Sequence, residues 1–266
     1  MTRADPRLAR GPRRAADPVH RAAADVVAHL PAAVDLRTLV PAADWPVWDQ
    51  GGPPSCTAHA VAGVTLFEMI VAKRTPLFQP SRLFLYYCER VLEKDVASEA
   101  DCFVIDGAQV VLDRGVCADV PAPGVPSGAV WLYDPSEFAT KPPATCFDFA
   151  RGWRASSAKY VAEESANLRG CLAEGHPFTI CIRMFPSFDS GATTGDIPMP
   201  TAAERPNPEG GHAMAVVGYD DAKGRFLVRN SFGPTWGDGG YGTLPYEYVF
   251  ASDLADSFWT LRFATD

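Results

Sequence analysis

One cysteine lies where the sequence changes from turn-forming to apolar residues. Residues 49–55 are rich in Gly and Pro, whereas residues 61–72 are mostly apolar on every face, which predicts a buried helix. Ser55 is a good N-cap, so Cys56 is expected in the first helical turn. Unpaired backbone N–H groups and the helix dipole favour a thiolate there, the form in which cysteine acts as a nucleophile.

A nucleophilic cysteine needs a base, and the base in turn needs an orienting group. His212 follows two glycines and is the candidate base, while Asn230 in the sequence Asn-Ser-Phe-Gly is the candidate orienting group. Taken singly, a cysteine is often a buried structural residue and an asparagine often belongs to a turn. The prediction therefore depends on the whole set.

This set resembles the papain-like cysteine peptidases, and most of all their compact bacterial members. In that family a Gln six residues before the Cys helps to form the oxyanion hole, and Gln50 matches it. The Gly-His-Ala sequence at 211–213, the Asn-Ser-x-Gly sequence from Asn230, and the later Trp-Gly and Gly-Tyr pairs also match in order. The resemblance covers roughly residues 31–262, and its strength lies in the combined order and spacing.

The resemblance implies a cysteine peptidase that hydrolyses peptide bonds through an acyl-enzyme thioester. Cys56 would be the nucleophile, His212 the acid–base group, Asn230 the orienting residue and Gln50 an oxyanion donor. A peptide or protein is the implied substrate, and no cofactor or metal is expected. Two alternatives stay open: a ligase, cyclase or transpeptidase that uses the same thioester, and a catalytically inactive peptide-binding module.

The sequence also departs from the family at several positions. Phe232 stands in place of the Trp beside the Asn–His bond, Thr57 in place of the Trp after the Cys, and Pro54 in place of a Gly. Trp236 resembles the indole under the catalytic His. His59, one turn after the cysteine, is interpreted as a packed core histidine, with a second acid–base group as the less favoured alternative.

The order of the expected elements predicts an α+β fold, because helices come first and strands second. Helices are predicted over residues 20–30, 56–72, 82–93, 107–114 (capped by Asp106) and 157–174. Strands are predicted over residues 178–185, 212–219, 225–230, 240–244 and 258–263. Residues 120–141 and 186–211 are predicted as long loops, and the second of these is expected to border the cleft.

The resemblance implies a papain-like two-lobed arrangement of these elements. A helical lobe at about 50–120 and an antiparallel, barrel-like sheet lobe at about 175–266 would enclose the active-site cleft within a peptidase domain at 31–266. Residues 1–30 are predicted as a flexible N-terminal arm, either a loose tail or a segment that covers the cleft.

Composition narrows the possible partners. The net charge is −8 and the first 30 residues contribute +3, so the remainder carries −11, which argues against binding to nucleic acid or to anionic membranes. No secretory signal is convincing, so a cytoplasmic location is expected, with a non-standard route of secretion left open. The seven cysteines are expected to remain without structural disulfides. The oligomeric state is not indicated.

Overall fold

The computed structural model describes residues 17–265. Its α-helices are α1 Ala24–Ala28, α2 Cys56–Val71, α3 Arg82–Glu93, α4 Val104–Asp113, α5 Ala144–Ala150, α6 Ser165–Ala173 and α7 Tyr246–Phe250. Its strands are β1 Val19–His20, β2 Ala33–Asp35, β3 Ser157–Val161, β4 Phe178–Met184, β5 Gly210–Asp220, β6 Arg225–Arg229, β7 Tyr241–Pro245, β8 Ala255–Asp256 and β9 Trp259–Arg262.

The strands form two sheets. A six-stranded sheet has the order β7-β6-β5-β4-β8, with β2 paired to the end of β5, and a three-stranded sheet has the order β1-β3-β9. Strands β4 to β7 pair antiparallel in sequence order, as hairpin connections allow. The larger sheet is open and does not close into a barrel, so this lobe is the antiparallel sheet of the prediction rather than its barrel-like form, and the α+β, two-lobed papain-like fold is confirmed.

Helix α2 occupies the centre of the molecule. It packs against α3 and α4 on one side and against β5 and β9 on the other. All of its residues from Cys56 to Met69 are buried, which explains why its sequence is apolar on every face rather than along one stripe. The predicted helix is confirmed, and it is the element at which the helical layer and the larger sheet meet.

Three parts of the predicted secondary structure are wrong. The helix predicted over residues 20–30 is confined to Ala24–Ala28, and His20 belongs to β1. Residues 157–161, expected within one long helix, form β3, because they pair with β9 along the backbone, and only residues 165–173 are helical. This tertiary pairing overrides the local helical preference. Helix α4 begins at Val104 rather than after Asp106, which lies inside its first turn. Helix α5 has no counterpart among the predicted helices.

The described part of the N-terminal arm lies against the body of the protein. Strand β1 pairs in parallel with β3, and α1 packs on α6. The backbone N–H of Ala22 donates to Asn167 Oδ1 (3.1 Å), and that of Ala23 donates to Glu174 Oε1 (2.7 Å). Residues 1–16 of the arm lie outside the described residues, so the prediction that the arm covers the cleft stays a prediction.

Candidate active site

Cys56 is the first residue of α2. Only 7% of its surface is exposed. Ser55 occupies the N-cap position as predicted, but its hydroxyl makes no capping bond and instead contacts the Tyr133 hydroxyl at 2.7 Å. The first-turn N–H groups of α2 therefore donate no hydrogen bond to the Ser55 side chain, which leaves their partial positive charge available to a thiolate beside them.

His212 and Asn230 are joined by a short hydrogen bond. His212 lies on β5, and Asn230 follows the last residue of the neighbouring strand β6. His212 Nε2 lies 2.7 Å from Asn230 Oδ1. The backbone N–H of Ser231 also donates to this Oδ1 atom (2.8 Å), and because an N–H can only donate, the amide orientation of Asn230 is fixed.

This bond determines which nitrogen of His212 is free. Because Asn230 Oδ1 accepts, Nε2 carries a proton, and Nδ1 is the nitrogen that can take a proton from a thiol. Cys56 lies beside the backbone of Ala213, whose N–H favours the thiolate and so lowers the pKa of the thiol. The packing of α2 on β5 thus places the cysteine next to the residue that follows His212.

Gln50 is attached to the same segment as Asn230. Its Oε1 accepts a hydrogen bond from the Ser231 hydroxyl (2.6 Å), so its Nε2 group is oriented away from Ser231. One Nε2 hydrogen is used by the Pro53 carbonyl (3.2 Å). The second hydrogen has no acceptor among the described residues, and it is the one suited to an oxyanion. Gly51 has a φ of +63°, a conformation natural to glycine, where the chain turns towards α2.

Burial opposes charge on both Cys56 and His212. Burial raises the pKa of the Cys56 thiol to about 12, against the N–H groups of Ala213 and Thr57, which lower it. Burial also lowers the pKa of His212 to about 4, while the hydrogen bond that its ring donates to Asn230 Oδ1 raises it. Each group taken by itself is therefore neutral at pH 7, and an ion pair forms only where mutual attraction exceeds the cost of desolvation.

Aromatic rings cover the His212–Asn230 bond. Phe232 stacks on the imidazole, with ring centroids 4.6 Å apart. Phe188, from the loop at 186–211, meets the imidazole edge-on at 6.0 Å and stacks on Trp236. This loop therefore borders the site, as expected. Trp236, expected under His212, instead packs on Phe188 and Phe232, so Phe232 alone is stacked on the imidazole.

The sequence comparisons agree with this geometry. Residues 30–249 match the profile of the papain family cysteine proteases, which is most of the chain. The chain belongs to the papain family. It is a cysteine peptidase, and its substrates are peptides or proteins.

Solved and curated relatives extend the comparison of this papain-family peptidase. Xylellain, a cysteine protease from Xylella fastidiosa, is 34% identical, with a TM-score of 0.84 over 99% of this chain and 98% of that one. A peptidase C1-like protein of Acanthamoeba polyphaga mimivirus is 34% identical over 82% of this chain and 70% of its own length. The Carica candamarcensis protease CMS1MS2, solved with E-64, shares the fold at 22% identity and a TM-score of 0.60, over 88% and 99% of the two chains.

The sequence analysis missed a buried carboxyl group that binds Thr57, the residue next to Cys56 in this papain-family peptidase. Thr57, which replaces the family Trp, donates its hydroxyl to Glu89 Oε2 at 2.8 Å. Glu89 is fully buried, and burial raises its pKa to about 8. A glutamate on a helix gives no local signal of such a role, although the unusual Thr57 could have prompted a search for a polar partner.

A second missed residue is Tyr133, in the predicted loop at 120–141. Its hydroxyl donates to the Gln50 carbonyl (2.7 Å) and also contacts Ser55. The Arg82 guanidinium lies 4.7 Å from the Tyr133 ring and the same distance from the Trp48 ring. Tyr133 thus connects the backbone of the Gln50 turn to the start of α2, a contact between parts of the chain that sequence alone does not relate.

Two other kinds of feature were looked for in the described part of the chain, a metal-binding cluster and a membrane-spanning helix. Residues 17–265 contain no group of three or more His, Cys, Asp or Glu side chains arranged to hold a metal ion. None of the helices in that range is long and apolar enough to cross a membrane. The seven cysteines all lie within the same range, where each is buried and free of disulfide bonds.

Proposed function

We propose that Cys56, His212, Asn230 and Gln50 are the catalytic residues with which this peptidase hydrolyses peptide bonds. The observation that carries the proposal is the 2.7 Å bond between His212 Nε2 and Asn230 Oδ1. Because this bond uses Nε2, the Nδ1 atom of His212 is free. His212 lies on β5, the strand against which α2 packs. A cysteine, an imidazole of fixed tautomer and an amide in this arrangement form the Cys-His-Asn variant of a catalytic triad.

The acylation step follows from these positions. His212 Nδ1 takes the thiol proton, and the sulfur attacks the substrate carbonyl carbon, so that a C–S bond forms and the carbonyl electrons move to oxygen. The free Nε2 hydrogen of Gln50 and the backbone N–H of Cys56 donate to this oxyanion. The intermediate then collapses, the C–N bond breaks, and the imidazolium protonates the leaving amine.

Deacylation repeats the sequence with water. His212 Nδ1 accepts a proton from water, whose oxygen attacks the thioester carbon, and the same two donors stabilise the second oxyanion. The C–S bond then breaks, which releases the carboxylic acid product, and the proton returns to the sulfur. Throughout both steps Asn230 holds the imidazole in one tautomer, and Phe232 shields that bond from water.

Labelling and product masses test the assignment together. A thiol-directed epoxide should modify wild-type protein once, at Cys56, and abolish cleavage of a peptide library. Cys56→Ala should be unlabelled and inactive. Cys171→Ala is the matched control, because burial also raises the pKa of Cys171 to about 12, and it should be labelled at Cys56 and active before labelling. Products heavier by one water per cut indicate hydrolysis, whereas joined products without added water would favour a ligase. Label at another cysteine would contradict the proposal.

The remaining expectations about partners and location are separate proposals. The charge of −8 supports a protein that does not bind nucleic acid or anionic membranes. Electrophoretic mobility of labelled DNA and RNA, and co-sedimentation with anionic vesicles, would test this. A cytoplasmic location would be tested by cell fractionation with an antibody against the protein.

A further inference from the structure

Two buried polar atoms next to the catalytic residues have no hydrogen-bond partner among the described residues. They are Nε2 of His59, one turn after Cys56 on α2, and Nδ2 of Asn230, the residue that binds His212. Both residues line the same small cavity. A buried polar atom left unpaired destabilises a fold, so a pair of such atoms around one cavity suggests a shared partner.

The protonation of His59 follows from its other nitrogen. Nδ1 lies 2.9 Å from the backbone carbonyl of Ser55, which can only accept, so Nδ1 carries a proton. Burial and the charges of Arg82 and Arg229 lower the pKa of His59 well below its usual value, and the ring is neutral. Nε2 is therefore an acceptor.

Asn230, by contrast, presents a hydrogen-bond donor to the cavity. Its Oδ1 accepts hydrogen bonds from His212 Nε2 and from the Ser231 N–H. The unpartnered atom of this side chain is therefore the amide nitrogen Nδ2, which is a donor. An acceptor on His59 and a donor on Asn230 cannot both be satisfied by an ion, but a water molecule accepts from one and donates to the other.

The size of the cavity agrees with a single water. It leaves about 10 Å³ of room for the centre of a water-sized sphere, the lower end of the roughly 10–15 Å³ that one buried water needs. Arg229 and Ser231 add polar groups to a lining that is otherwise Trp48 and small or apolar residues.

We propose that one buried water bridges Asn230 Nδ2 and His59 Nε2, and that His59 is thereby a positioning residue for the His212–Asn230 pair. The water gives the Asn230 amide a second anchor, which opposes rotation about its side chain. The hydrogen bond from His212 Nε2 to Asn230 Oδ1 then persists, and Nδ1 of His212 remains the nitrogen that exchanges a proton with Cys56. This role for His59 rests on the catalytic role proposed above for Asn230.

The role can be separated from simple packing. His59→Phe keeps a ring of similar size, which preserves the edge-on contact with Tyr133 at 4.9 Å but removes the acceptor. Loss of one net hydrogen bond predicts a fall in kcat of about 2- to 10-fold, with KM unchanged. Thr65→Val is the matched control, because Thr65 Oγ1 is also a buried, unpartnered polar atom on α2, and it should leave kcat unchanged.

Two readouts do not depend on turnover. A crystal structure of the wild-type protein should show an ordered water within hydrogen-bond distance of both atoms, and His59→Phe should lack it. The ¹⁵N shifts of the His212 ring should show one tautomer in wild type and a mixture in His59→Phe. His59→Gln, whose amide oxygen can accept from the water, should recover the single tautomer and part of the lost kcat.

The outcomes are distinct. A dry cavity in the wild-type crystal, or a His212 tautomer unchanged in His59→Phe, would overturn the proposal. Equal effects of His59→Phe and Thr65→Val on kcat would do the same, because they would indicate packing alone. If His59→Phe does not fold, the proposal is still tested by the presence or absence of the water in the wild-type electron density and by the His212 tautomer in His59→Gln. A wild-type protein with the bridging water but no cleavage would overturn the proposed catalysis instead.

Discussion

Gln50 and Ser231 are joined by two hydrogen bonds that run in opposite directions. The backbone N–H of Gln50 donates to the Ser231 carbonyl (2.8 Å), and the Ser231 hydroxyl donates to Gln50 Oε1 (2.6 Å). The backbone N–H of Ser231 also donates to Asn230 Oδ1. A single serine therefore binds both side-chain amides of the site, the one proposed to bind the oxyanion and the one that binds His212.

Substitutions of Gln50 and Ser231 should lower kcat by different amounts, with the larger fall for Gln50. Gln50→Ala should lower kcat by about 10²- to 10³-fold with little change in KM, because an oxyanion donor acts only near the transition state. Ser231→Ala keeps Gln50 but loosens it, so a smaller fall in kcat is expected. Ser136→Ala removes an exposed hydroxyl far along the chain and serves as the control. A steady-state titration with a peptide substrate measures all three, and an unchanged kcat in Gln50→Ala would remove it from the mechanism.

The pH dependence of Cys56 alkylation tests whether the ion pair forms. Burial favours the neutral groups, raising the pKa of Cys56 to about 12 and lowering that of His212 to about 4. The N–H groups at the start of α2 and the attraction of thiolate for imidazolium act against burial. We expect the attraction to win, so that iodoacetamide reacts well below the pH of about 8.5 at which a free thiol ionises.

His212→Ala supplies the comparison for that experiment. Without the imidazole, the N–H groups near Cys56 alone oppose burial, and burial outweighs them, so alkylation should move to high pH and turnover should be lost. In wild type the rate of turnover should follow a bell, whose limbs belong to the coupled pair rather than to either residue. Wild-type alkylation that rises only at alkaline pH, like that of the variant, would contradict the ion pair.

The buried Glu89 should make stability depend on pH. Its folded pKa of about 8 lies above the ordinary value of 4.5, so the folded state holds a proton that the unfolded state has lost. Its contribution is therefore complete below about pH 4.5 and is lost as pH rises towards 8. The Tm of wild type should fall between pH 5 and about pH 8, and Glu89→Gln should flatten that fall.

The matched control for Glu89 is Glu137→Gln, which neutralises an exposed carboxylate on the loop at 120–141. It should retain the wild-type dependence of Tm on pH. Thermal melts by circular dichroism at several pH values provide the measurement. A slope that is the same in Glu89→Gln and in wild type would show that other groups cause it.

Deletion of residues 1–23 tests the N-terminal arm. The deletion removes β1 and the backbone donors to Asn167 and Glu174, so Tm should fall, while kcat should change little because these contacts lie on β3 and α6. Asn167→Ala removes one of the acceptors and should lower Tm by a smaller amount. Thermal melts measure the Tm of both variants, and steady-state kinetics measure their kcat. A rise in kcat on deletion, reproduced in wild type by added salt, would instead support an arm that covers the cleft.

Local patterns in the sequence are sufficient to predict the chemistry and the central helix. The order and spacing of Gln50, Cys56, His212 and Asn230 can be read directly from the sequence. The resemblance that they carry indicates the papain family. The apolar run after Cys56 predicts α2 because a helix buried on all sides leaves no polar face. The main strands are predicted to within a few residues, since hairpin turns and β-rich runs are local signals.

Features that depend on contacts between distant segments are set by the tertiary structure. Residues 157–161 form a strand only because β9, about a hundred residues later, pairs with them. Phe232 rather than Trp236 stacks on His212, and Tyr133 and Glu89 support the site from a loop and a helix that local patterns do not connect to it. The protonation of Cys56 and His212 likewise depends on burial, which arises only when the sheet and α2 exclude water together.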